Sequence, residues 1–89
     1  MSAADLRKRI TKKLVDDIEQ VQFPSVAMLD RVESTLRDRD SMADYAETLI
    51  EKVEATRFPS PTLLNRLDAV LARLEQAEQQ EQEQERRAA

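Results

Sequence analysis

The chain has 89 residues and no glycine, cysteine or histidine; its aromatics are two phenylalanines and one tyrosine, 36% of its residues are charged, and its net charge is −4. This is the size of one small domain, and the lack of glycine turns and of aromatic or β-branched runs excludes collagen-like chains and β-sandwiches. It also removes the imidazole base, the thiol nucleophile, the disulfide, the usual zinc site and the glycine-rich phosphate cradle, so no enzyme, metal or cofactor is expected.

The first element opens with "SAAD", in which Ser2 and Asp5 have the spacing of a capping box. Leu6, Ile10, Leu14, Ile18 and Val21 recur every three or four residues, which predicts a helix with one buried stripe. Between them stand Arg7, Lys8, Arg9, Lys12 and Lys13 against Asp5, a local charge of +4 that leaves −8 on the other 76 residues. These five cations are the candidate nucleic-acid contact. Against that reading, the segment has no interleaved aromatic, and the acidic remainder of the chain repels phosphate. No apolar run approaches membrane-spanning length, and the early cations are followed by more charge, not by a signal-peptide core. A soluble cytoplasmic protein with no membrane partner is the expectation.

The next stretch, "QFPSVAMLDRV", is a corner. Phe23 precedes Pro24, whose ring disfavours helical geometry in the residue before it, so the first helix should stop near Gln22. Ser25 is placed to cap a second helix with an apolar stripe of Met28, Leu29, Val32 and Leu36. The "RDRD" link follows. "SMAD" at Ser41 has capping-box spacing again and leads into Met42, Tyr45, Leu49, Ile50 and Val53.

A second corner, "RFPSPTLLNRL", then repeats the first, with Arg57, Phe58 and Pro59 before the cap Ser60 and with Pro61 in the first helical turn. The fourth helix carries Leu63, Leu64, Leu67, Val70, Leu71 and Leu74, and its spacing of four and three over 63, 67, 70, 74 and 77 would also suit pairing with another chain. Past Ala77 the sequence is "EQQEQEQERRAA", good helix formers with nothing to bury.

Leu14 and Leu49, Glu19 and Glu54, Leu29 and Leu64, Arg31 and Arg66, and Leu36 and Leu71 match at the same offset of about 35 residues as the two corners. The expected fold is all-α: two repeated helical hairpins, residues 2–40 and 41–77, forming a four-helix bundle in a single domain 1–77 or completed by dimerisation, with 78–89 as a polar helical or frayed tail. Ser2 to Ser25 spans four residues more than Ser41 to Ser60, so the first helix should be about one turn the longer. Glu19 with Arg31, and Glu54 with Arg66, could pair across the arms. The remaining carboxylates, such as Asp16, Asp17 and Glu51, read as a solvated face.

An up-down-up-down chain would bring both corners to one end of the bundle. Each phenylalanine then either plugs that end or awaits a partner, and the plug is the simpler use of an aromatic at a hairpin corner. The function expected is a non-enzymatic protein-interaction or adaptor module, or a subunit of a larger assembly. Phe23, Pro24, Arg57, Phe58 and Pro59 are the candidate contacts, and a protein partner or self-association is the candidate company. The alternative is a nucleic-acid-associated regulator acting through the basic first helix.

Overall fold

A computed structural model describes residues 1–88, and they are all-helical: α1 spans Ala3–Gln20, α2 Val26–Thr35, α3 Arg39–Ala55 and α4 Pro61–Ala88. α1 with α2 and α3 with α4 make two helical hairpins, and the chain divides between Arg37 and Asp38 into two compact units. Among the described residues none has positive φ. Without glycine to end a helix in left-handed geometry, α1, α2 and α3 each close on an extended residue, Val21, Leu36 and Thr56 respectively. The amide of each reaches back three residues, Val21 to the Ile18 carbonyl at 3.1 Å and Thr56 to that of Val53 at 3.2 Å. α1 and α3 thus stop at equivalent points, four residues before Pro24 and Pro59.

In the first hairpin the capping box forms: the Asp5 amide donates to Ser2 Oγ at 3.2 Å, and the Ser2 amide donates to Asp5 Oδ2 at 3.3 Å. Ser25 caps α2 by accepting from the Met28 amide at 3.2 Å. Thr11, Val15 and Ile18 of α1, Leu29 and Val32 of α2, and Leu36 at the cap of α2 are buried. The Thr11 hydroxyl donates to the Arg7 carbonyl at 2.9 Å and lies 3.4 Å from the Thr35 carbonyl, so the last residue of α2 is level with Thr11. About two turns of α1, Ala3–Ile10, therefore project past the end of α2.

The buried row corrects the expected stripe. Leu6 and Ile10 are each 51% exposed. Steps of four residues advance 400° around a helix, so a row of them precesses by about 40° per step, and Leu6 lies roughly 120° from Ile18. Here α2 is too short to follow that drift. It stops because its last turn turns on its own backbone: Ser34 Oγ donates to the Arg31 carbonyl and Thr35 Oγ1 to that of Val32, both at 2.7 Å, while Arg37 reaches the Ser34 carbonyl at 2.7 Å.

In the second hairpin the expected cap at Ser41 is also corrected. Asp38 caps α3, accepting from the Ser41 amide at 3.2 Å through Oδ2 and from the Ser41 hydroxyl at 2.8 Å through Oδ1. A carboxylate at this place also meets the positive end of the helix dipole, which a serine hydroxyl does not. The start moves back three residues. α1 and α3 then have 18 and 17 residues, not the full-turn difference expected. Met42, Tyr45, Ala46, Thr48 and Leu49 of α3 and Val70 of α4 are buried.

Ser60 accepts from the Leu63 amide at 3.1 Å, and Pro61 is the first residue of α4. α4 runs unbroken to Ala88, 28 residues in all. Where α2 has Ser34 and Thr35, the matching positions of α4 are Ala69 and Val70, which lack a hydroxyl to divert the backbone. The two copies thus diverge at their second arms, and Leu29 is buried where its counterpart Leu64 is exposed.

Candidate functional site

Both corners are built alike: a helix closed by an extended residue, a bend carrying Phe-Pro, and a serine cap. Neither phenylalanine is buried in its own hairpin: Phe23 is 74% exposed and Phe58 81%. The geometry explains why. The residue before a proline is held extended, and the short bend directs it away from the hairpin interior, whose apolar places are already filled from the helices. Pro24 and Pro59 are half-buried, fastening the bend beneath the rings. Arg57 places its guanidinium 5.5 Å from the Phe58 ring centroid, within cation–π range. The first corner has glutamine, Gln22, at that place.

Two further apolar side chains accompany the rings, and sequence reasoning missed both. Val26, one residue into α2, is 50% exposed, and Leu64, in the first turn of α4, is also exposed. Leu64 was assigned to a buried stripe. The signal that could have separated it is angular, because Leu64 stands about 100° around the helix from Leu63 and about 120° from the buried Val70.

No family model matches the chain, and neither does any curated protein or solved structure. What the corners can do is therefore argued from their own chemistry. They offer exposed apolar rings, a cation at one of them and backbone fixed by proline. Their serine hydroxyls are engaged as helix caps, and among the described residues no group of three acidic side chains could hold a metal.

The basic candidates lie elsewhere, on the projecting part of α1 and the turn after it. Arg7, Lys8 and Lys12 are exposed and make no ion pair among the described residues. Arg9 touches the Met1 thioether at 3.5 Å, and Lys13 pairs with Asp17 at 2.7 Å. The Asp17 carboxylate, by hydrogen bond and by charge, holds the Lys13 ammonium above its ordinary pKa. Within the second hairpin the ion pairs join Arg39 to Glu78 at 3.8 Å and to Glu81 at 3.9 Å. That contact ties the first turn of α3 to the polar part of α4. Among the described residues no helix is long and apolar enough to cross a membrane.

Proposed function

We propose that the protein is a non-enzymatic interaction module that engages a protein partner through its two Phe-Pro-Ser corners. The observation that carries this is the exposure of both phenylalanines, at matching places of a repeated corner, in a chain whose one other aromatic, Tyr45, is buried. Leaving a phenylalanine in water forgoes about 2 kcal/mol of burial, and nothing in either hairpin takes up that surface. A partner with an apolar pocket would. Aromatic side chains with an adjacent arginine are the residues that anchor protein interfaces, and the prolines fix each ring's base so that little freedom is lost on docking.

The exposed cations of α1 favour the nucleic-acid reading less strongly. Positive charge there binds phosphate without using either corner, and the rest of the chain is acidic.

The test compares wild-type protein with the Phe23→Ala/Phe58→Ala double variant as baits in native lysate, with nuclease treatment and a salt wash. The expected result is a specific partner that the double variant loses while its helical spectrum and melting transition stay as in the wild type. Equal recovery by both baits would remove the corners from the interaction. Recovery that vanishes with nuclease would transfer the function to nucleic acid.

A further inference from the structure

The two hairpins have unequal arms, and the projecting part of α1 is basic where the stretch of α4 around its contact with the first turn of α3 is acidic. α1 extends past the end of α2 with Leu6 and Ile10 exposed and Arg7, Lys8 and Arg9 around them against Asp5; Lys12 and Lys13 follow, the latter paired with Asp17. The first turn of α3 meets α4 at Glu78 and Glu81, which pair with Arg39; segment 75–85 of α4 carries five glutamates and no cation, and Arg86 and Arg87 follow it. Leu71 and Leu74 just before that segment, and Ala77 within it, are only half-buried.

We infer that the projecting part of α1 docks on the acidic segment of α4 in a second copy of the chain, and that the same contact is made twice in a twofold dimer. Each copy then supplies one cationic and one anionic arm, so the contact closes on itself and leaves neither arm unmatched. Leu6 and Ile10 meet the half-exposed leucines of the partner's α4, while the surrounding cations face its glutamates.

The surface fits this occupant better than it fits phosphate. A nucleic-acid backbone would use the cations and leave Leu6 and Ile10 in water. A lipid surface would have to accept more than apolar groups, because Leu6, Ile10, Lys13 and Asp17 follow one another at steps of four, three and four along one face. The Lys13–Asp17 ion pair would be pressed into the same boundary as the leucine and isoleucine. Against a protein helix, the apolar and charged parts of that face each find a counterpart.

The test is sedimentation of the full chain over a range of concentrations at about 0.05 M and about 0.5 M salt, where screening of surface charge differs severalfold. Wild-type protein is expected to reach twice the monomer mass at low salt and to weaken at least tenfold at high salt. Leu6→Ser/Ile10→Ser should weaken the dimer at least tenfold. Two charge-reversed variants decide between copies: one with Lys8, Lys12 and Lys13 changed to Glu, the other with Glu75, Glu83 and Glu85 changed to Lys, which spares the glutamates paired with Arg39. Each alone should be monomeric with an unchanged helical spectrum, and the two mixed should form a heterodimer.

Wild-type protein that stays monomeric, a dimer indifferent to both reversals, or reversed variants that fail to pair when mixed would each overturn the inference. Monomer that instead binds anionic vesicles or duplex DNA, with the binding lost in the first reversed variant, would overturn it in favour of a phosphate partner.

Discussion

Phe23, Phe58 and Tyr45 divide the aromatic side chains between two tasks, and substitution should separate them. Tyr45 is fully buried, so Tyr45→Ala should cost about 3 kcal/mol or more, read from denaturant unfolding. Phe23→Ala and Phe58→Ala should each fall within about 0.5 kcal/mol of wild type, the range for exposed positions away from special geometry. A loss above about 2 kcal/mol at either phenylalanine would mean that its ring is buried in solution.

The caps give a parallel series. Ser25→Ala, Ser60→Ala and Asp38→Ala should each cost about 1 kcal/mol through the lost acceptor. Ser41→Ala should cost less, because Asp38 still accepts from the backbone amide. The raised Lys13 ammonium favours the folded state below its unfolded pKa, and that contribution fades as pH climbs through the higher folded value. The exposure of Lys13 keeps the effect slight. Asp17→Asn should lower the Lys13 pKa, observable by NMR titration.

At the scale of the helices, α2 and α4 show how the same sequence frame gives two lengths. Truncation after Ala77 removes the end of α4 and with it both Arg39 pairs, which are half-exposed and together contribute at most about 1 kcal/mol. The melting transition should therefore shift by only a few degrees, while the helical signal per chain falls by the residues removed. Collapse of the transition would show that segment 78–88 supports the fold.

The helices were legible because their apolar residues recur at helical spacing and their ends carry proline and serine, signals that act through local geometry. What escaped the sequence depended on neighbours. The exposure of Leu6 and Ile10 followed from the shortness of α2, and that in turn followed from hydroxyls competing for carbonyls at Ser34 and Thr35. The start of α3 was misplaced because Asp38 and Ser41 are both good caps, and only the observed bond between them shows which one leads. At the corners, Phe-Pro spacing fixes where the chain bends but says nothing of which way the ring faces.

Over the whole molecule, each hairpin packs helices that are neighbours along the chain, so the contacts within it join residues close in sequence. Proteins of low contact order fold quickly, and relaxation in microseconds to milliseconds is expected in temperature-jump or rapid-mixing experiments. A dominant phase of seconds, in a protein whose contacts are this local, would require a slow assembly step absent from either hairpin.

The absence of any left-handed residue among the described positions has a consequence for how this protein can be dissected and how it can change. In most small folds a few turn positions accept only glycine or asparagine, and substitutions there damage the backbone before they report on anything else. Here no turn imposes that demand. A saturation library across Gln22–Ser25 and Arg57–Ser60, proline substitutions set aside, can therefore vary side chains without forcing a backbone outlier. Changes at the ring positions would then read out recognition with little confounding loss of fold. By the same logic, drift at the ring positions can change the surface each corner presents while the helices beneath it stay as they are.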